Sequence, residues 1–259
     1  MSEAFAPSVA NPVVELTNVS LCYRLAKQRI PSLKEYAIHW LKGALSYEKL
    51  WALSKIDLTI RRGESIGIVG RNGAGKSTLL KVISRVLVPT EGQARLRGVV
   101  APILELGTGF DHELTGRENI YLNALLLGRS KREIDRVVDQ IAAFSGLGDF
   151  IHSPVRNYSS GMLARLGFSI ATAWPLDLLI LDEVFSVGDS QFIHRSEERL
   201  REMRREGATM LLVSHFPESI RTNCERCLWL EKGRLMGDGP AEEVLAAYQE
   251  FMSRDELAS

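Results

Sequence analysis

Nine consecutive residues, Gly70-Arg71-Asn72-Gly73-Ala74-Gly75-Lys76-Ser77-Thr78, have the types and spacing to hold a polyphosphate. They fit the pattern G-x-x-x-x-G-K-[ST], in which backbone amides do most of the binding. Glycines let the loop wrap closely around the ligand, and the amides of the following helix N-terminus point at its negative oxygens. Lys76 adds a point charge at the β- and γ-phosphates, and the Ser77 hydroxyl suits Mg²⁺. The flanks have the required character: Ser65 to Val69 reads as a short buried strand and Leu79 to Ile83 as the start of a helix. That setting argues against a mere Gly-rich turn beside a surface lysine.

Further residues could complete such a site. Leu178 to Leu181 is an apolar strand ending in Asp182 and Glu183. At a strand end near the phosphate loop, Asp182 would complete the Mg²⁺ shell and Glu183 would polarise an attacking water. Val213-Ser214-His215 ends another apolar strand, which places His215 as a sensor of the γ-phosphate. Ser186-Val187-Gly188-Asp189 follows the acidic pair at a turn. Tyr158-Ser159-Ser160-Gly161-Met162 opens a helix, and small hydroxyl residues with a glycine at a helix N-terminus make an anion site. A second anion site in a chain that already has a phosphate loop is explained most simply by closure on the nucleotide of a second copy.

The 259 residues allow one large domain with a real core. Lysine plus arginine balance aspartate plus glutamate at 32 each, so the net charge is zero, a poor match to a protein that lives on nucleic acid. The three cysteines are too few for a disulfide framework and suit a reducing cytosol. Cys224-Glu225-Arg226-Cys227 is a lone C-x-x-C without further ligands at metal spacing, so buried thiols are the simpler expectation. The N-terminus lacks the basic start and apolar run of a secretion signal. The most apolar long stretch, Leu166 to Phe185, is interrupted by Pro175 and Asp177 and does not read as a membrane span.

The elements that must position these residues follow from periodicity. Val13 to Tyr23 alternates as a strand, and a second strand is expected near Leu53 to Ile60. Further strands are expected within Gly92 to Glu105, at Leu178 to Asp182, Thr209 to Val213, Cys227 to Leu230 and Arg234 to Met236. Helices are expected at Glu118 to Leu127, Arg132 to Phe144, Gly161 to Thr172, and Ala241 to about Phe251. Between the first two strands, Ser32 to Glu35 has capping-box spacing. Leu33, Tyr36, Ala37, Trp40, Leu41, Ala44 and Leu45 then form one apolar helical stripe. Such a stripe packs on the chain's own core, on a partner helix or at a membrane interface.

Together these segments resemble the nucleotide-binding subunit of an ABC transporter, over about Val13 to Leu235. Gly70 to Thr78 matches the Walker A motif, and Leu178 to Glu183 matches Walker B with its catalytic glutamate. Ser159, Ser160 and Gly161 fall in the signature motif, Ser186 to Asp189 matches the D-loop and His215 the switch histidine. Tyr23 matches the aromatic that stacks on adenine. Two departures stand out. Of the usual Leu-Ser-Gly-Gly-Gln signature only Ser159 and Gly161 are kept, and Glu105 stands where a glutamine normally meets the metal. The segments Glu105 to Phe110 and Leu114 to Asn119, with this signature, resemble the ATPases that export O-antigen, capsule or teichoic-acid polysaccharides.

The resemblance implies an α/β P-loop NTPase fold, with a RecA-like core and antiparallel β subdomain (residues 13–112 and 174–238). It also implies an inserted amphipathic helix (30–48), a helical subdomain (113–173) and a C-terminal helix (239–259). It implies ATP and Mg²⁺ as cofactors and a homodimer with two shared ATP sites. The partners would be a polytopic permease and a lipid-linked glycan, with the chain peripheral on the cytoplasmic side of the membrane. Some such ATPases carry a C-terminal carbohydrate-binding domain, for which a chain ending at Ser259 leaves no length. An ATPase of another transporter type, or a soluble one acting on ribosomes or DNA, is the alternative; the latter is disfavoured by neutral charge and a single cassette.

The stripe between residues 32 and 45 yields a test. Exposing it to water would cost roughly 25 cal/mol for each Å², so it must cover something apolar. ABC cores fold in many proteins without this helix, which favours an external partner. Replacing both Tyr36 and Trp40 by Ser should then leave the melting temperature and ATP binding of the purified chain nearly unchanged while export in cells fails. A loss of several kcal/mol of stability would instead assign the stripe to the chain's own core.

Overall fold

The computed structural model describes residues 12–26, 47–103, 109–182, 190–214 and 216–258. The amphipathic segment 32–45 lies outside them, as do Glu105, Glu183, Ser186 to Asp189 and His215. Two sheets form the centre. In the smaller, β1 (Pro12–Ala26) pairs antiparallel with β2 (Tyr47–Arg61) on one side and β4 (Glu91–Leu96) on the other. β1 and β2 run farther than their apolar alternation, because the ladder continues through Arg24, Leu25 and Ala26 to their partners Lys49, Glu48 and Tyr47.

The larger sheet has six strands in the order β5 (Val100–Ile103), β6 (Leu178–Asp182), β7 (Thr209–Val213), β3 (Ser65–Val69), β8 (Arg226–Glu231) and β9 (Arg234–Pro240). All neighbours are parallel except β8 and β9, which form a hairpin. The sheet is covered on both faces, so its inner strands read as continuous apolar runs. Their side chains still alternate. Leu178 and Ile180 of β6, Leu211 and Val213 of β7, and Leu228 and Leu230 of β8 join one cluster with the small sheet and the helix α1 (Lys76–Ile83). Leu179 and Leu181, Met210 and Leu212, and Cys227 and Trp229 face the other way, toward Phe192, Leu200, Ile220 and Leu245.

That second face is covered by helices, two of which were not among the expected elements. The helix α5 (Ser190–Arg205) is so rich in charge that its few core contacts, Phe192, Leu200 and Met203, do not stand out as a stripe. The seven residues of α6 (Pro217–Asn223) are too few to show a period. The last helix, α7 (Ala241–Ala258), extends past Phe251, while Gly239 and Pro240 belong to β9 and not to it. Trp229 receives both Tyr248 and Phe251 of α7, with ring centroids 5.8 and 5.1 Å away.

A third cluster belongs to three helices, α2 (Gly116–Leu126), α3 (Lys131–Ser145) and α4 (Ser160–Ala171), with two short 3₁₀ turns between the last two. Capping boxes start α2 and α3. Thr115 with Glu118 and Ser130 with Glu133 each exchange side-chain and backbone hydrogen bonds, which moves both starts ahead of the expected residues. Those bonds hold the carboxyls of both glutamates below the usual range. The fully buried Asn119 ties the entry to this unit. Its Nδ2 donates to the carbonyls of Asp111, Leu114 and Thr115, and its Oδ1 accepts from the Asp111 amide. Because this cluster has its own core, Leu166→Ala, at a position with no solvent exposure, should cost about 2–5 kcal/mol in chemical denaturation. A cost under ~1 kcal/mol would show that the three-helix core is not packed as described.

Candidate functional site

Strand β3 ends at Val69 between two parallel neighbours, and the chain turns through Gly70 to Gly75 into α1. The conformation requires glycine at both ends of this turn. Gly70 has φ 151, and a Cβ there would overlap the Leu230 carbonyl of β8. Gly75 has φ 106, and a Cβ would sit 2.7 Å from the Ala52 carbonyl of β2. The loop is therefore gripped by both sheets. Helix α1 starts at Lys76, earlier than the expected Leu79, so Lys76, Ser77 and Thr78 all lie on its first turn. Gly75 is its N-cap, and no described side chain caps it, which leaves the first amides aimed along the loop for an anion. Lys76 is buried, and its Nζ donates to the carbonyls of Gly70 at 2.6 Å and Arg71 at 3.0 Å.

A cavity of about 610 Å³ opens on this loop, within the usual ligand range. Its lining includes Asn72, Gly73, Ala74, Gly75, Lys76, Ser77 and Thr78 of the loop and first helical turn, Val213 of β7, and Tyr23, Leu50 and Trp51 of the small sheet. Tyr23 pairs with Leu50, and Cys22 with Trp51, across the β1–β2 ladder. The loop residues suit a polyphosphate, and the aromatic residues suit an apolar, planar group. The turn Lys232-Gly233 between β8 and β9 completes the wall. The Gly233 amide donates to the Ala74 carbonyl at 2.8 Å, and its carbonyl accepts from the Ser54 amide at 2.8 Å.

The expected residues divide into four groups. Tyr23 and Asn72 to Thr78 share the cavity, while Gly70 begins the same loop outside the lining. Asp182 ends β6, and its backbone pairs in register with Val213, which lines the cavity; one strand, β7, separates it from β3. Glu105, Glu183, Asp189 and His215 lie outside the described residues. Ser159, Ser160 and Gly161 are elsewhere: they start α4 in the three-helix unit and do not line this cavity. Ser159 is the N-cap of α4, its Oγ accepting from the Met162 amide at 3.2 Å. The neighbouring Tyr158 is a packing residue, buried, with its hydroxyl donating to the Phe150 carbonyl at 2.6 Å.

Leu50, Trp51, Lys232 and Gly233 were not among the expected site residues. Sequence marks the last two only as a hairpin turn, and Leu50 and Trp51 join the site through their pairing with β1. The thiols of Cys224 and Cys227 are buried, and that burial pushes both up to about 12. They are packing groups, and among the described residues no cluster of histidine, cysteine, aspartate or glutamate is placed to hold a metal.

A phosphate loop on the central strand of a twisted α/β sheet, beside an aromatic-lined cleft, defines a P-loop nucleotide-binding protein. The chain belongs to the ABC transporter family, whose sequence profile matches residues 53–186. It is 42% identical over 244 residues to the O-antigen export system ATP-binding protein RfbB of Klebsiella pneumoniae, covering 93% of this chain and 99% of that protein. It is 45% identical over 202 residues to the teichoic acids export ATP-binding protein TagH of Lactococcus lactis, covering 78% of this chain and 43% of that one. Among solved structures, the ATP binding subunit of an ABC transporter superposes with a TM-score of 0.72 at 24% identity, over 92% of this chain and 93% of that one. The dimeric, post-hydrolysis MJ0796 cassette bound to ADP and Pi superposes at 0.70 and 21% identity, over 88% and 98%. The P-loop ABC ATPase fold expected from the motifs is the fold observed.

Gly161 gives a test of the α4 terminus. A Cβ there would meet nothing nearer than Ser159 Oγ at 3.9 Å, so the chain's own packing does not require glycine. Gly161→Ala should leave the melting temperature unchanged or slightly higher. If a second copy's nucleotide approaches this terminus, ATPase activity should nonetheless fall roughly tenfold or more. Undiminished activity would remove Gly161 from the site.

Proposed function

We propose that this chain is the ATP-hydrolysing subunit of a system that exports a lipid-linked polysaccharide, working as a homodimer beneath a polytopic permease on the cytoplasmic face of the membrane. The observation that carries this reading is the phosphate-loop cavity in a chain that matches an O-antigen export ATP-binding protein over nearly its whole length. No helix among the described residues is long and apolar enough to cross a membrane, so the permeation path is assigned to the partner.

In this reading the α1 amides and Lys76 hold the β- and γ-phosphates, and Tyr23 stacks on adenine. Fixed donors of this kind act at the place where charge develops during phosphoryl transfer. Ser77 and Asp182 would supply hard oxygen donors, a set that suits Mg²⁺, with Glu105 as a proposed further contact. A bound Mg²⁺ would neutralise phosphate charge. Glu183 orients and polarises the attacking water, and His215 senses the γ-phosphate. Ser159, Ser160 and Gly161 of one copy, with Asp189, close on the ATP of the other. This accounts for an anion-binding helix terminus that lies away from the chain's own phosphate loop.

Glu183→Gln should retain ATP binding, trap a dimer and lose most turnover in the assembled transporter; full turnover would remove Glu183 from the mechanism. Mixing Lys76→Ala chains with Ser159→Arg chains leaves one intact composite site per heterodimer and should restore part of the ATPase activity. Crosslinking of Ser159 to the nucleotide of its own chain would overturn the shared-site arrangement. Deleting the gene should leave the lipid-linked polysaccharide in the cytoplasmic leaflet, with export restored by wild type and not by Lys76→Ala.

A further inference from the structure

We propose that Lys232 is a second cationic contact for the nucleotide's polyphosphate, presented by a hairpin turn bonded directly to the phosphate loop. This rests on the nucleotide reading above and adds a binding residue to the same site. The β8–β9 register pairs Glu231 with Arg234, leaving Lys232-Gly233 as a two-residue turn. Both turn residues have positive φ, 47 and 76, the geometry of a type I′ hairpin, whose first position favours asparagine, aspartate or glycine. A lysine there carries a conformational cost. Four described residues other than glycine have positive φ, namely Asn18, Lys55, Arg85 and Lys232, and of these only Lys232 lines the cavity. Strain beside a ligand cavity points to function.

The turn is held firmly. Gly233 bonds to Ala74 of the loop and to Ser54 of β2, and a Cβ on Gly75 would lie 3.5 Å from the Gly233 Cα. Lys232 therefore starts one residue from the loop backbone. Its side chain is exposed and, among the described residues, has no hydrogen-bond or ion-pair partner. The charged side chains in the described cavity lining are Lys76 and Lys232, with no acid among them. Lys76 is buried and donates to two loop carbonyls, so a second ammonium at the rim meets the remaining charge of a di- or triphosphate.

The test uses the purified full chain and its variants in Mg²⁺, titrated with the fluorescent analogue MANT-ATP and competed with ATP, ADP and adenosine. Lys232→Asn keeps a residue tolerant of positive φ but removes the charge, Lys232→Gly also removes the strain, and Lys232→Arg keeps the charge. The Asn and Gly variants should bind MANT-ATP and ATP about three- to tenfold more weakly, as expected for an exposed charged contact. Competition by adenosine should be unchanged, the melting temperature should be equal or higher, and Lys232→Arg should bind as wild type. The difference between wild type and Lys232→Asn should shrink in high salt. Wild-type affinity in Lys232→Asn and Lys232→Gly would overturn the proposal, as would an equal loss for adenosine, which would assign the turn to the aromatic part of the lining. A Lys76→Ala control separates the two readings: if it binds MANT-ATP as wild type does, the nucleotide site itself is wrong and the proposal falls with it.

Discussion

A loop that binds phosphate with its own amides cannot be held in shape by side chains pointing into the ligand, so it must be gripped from behind. Here the grip is backbone against backbone. Gly70 lies against the Leu230 carbonyl, Gly75 against the Ala52 carbonyl, and Ala74 accepts the Gly233 amide. These contacts come from β2 and from β8 with its turn into β9, two segments widely separated in the chain. They exist only because β3 is central in the large sheet and the small sheet packs on the same face. The phosphate loop is thus the point at which the two sheets are locked together.

The same arrangement explains the apolar character of the inner strands. With the small sheet and α1 on one face and α5, α6 and α7 on the other, β6, β7 and β8 must be apolar at nearly every position. Polar residues can then appear only where these strands end. Asp182 and Ser214 stand at such ends, and the backbone of Asp182 pairs in register with Val213. The three-helix unit has its own core, and Phe144 of α3 and Phe168 of α4 also pack against the residues beneath the large sheet, which ties the unit to the strands.

Several residues that mark resemblance to polysaccharide export ATPases have structural work within this chain. Thr115 and Glu118 form the capping box of α2, Asn119 staples the segment before it, and Tyr158 packs beneath the signature helix. Gly116 belongs to the same contact, since a Cβ on it would collide with the Tyr158 hydroxyl. The Leu114 to Asn119 motif and the altered signature are therefore two sides of one packed junction. They identify a way of building the three-helix unit, with Ser159 and Gly161 at its edge.

The sequence by itself determined the phosphate loop, its strand and helix, the strand ending at Asp182 and the approximate place of most helices. Those depend on local spacing: glycine at turns, a lysine and hydroxyl closing the phosphate loop, and apolar runs or stripes of fixed period. Tertiary structure alone decided what the loop leans on and what else enters its cavity. Leu50 and Trp51 join it through pairing with β1, and Lys232 through a turn remote in sequence, so no local pattern marks them. It also decided that β4 and β5, adjacent in the chain, belong to different sheets. The charged α5 and the short α6 left no period to read. Local propensity is written within a few residues, whereas a cavity wall is written in contacts between segments, and those exist only once both sheets have packed around the phosphate loop.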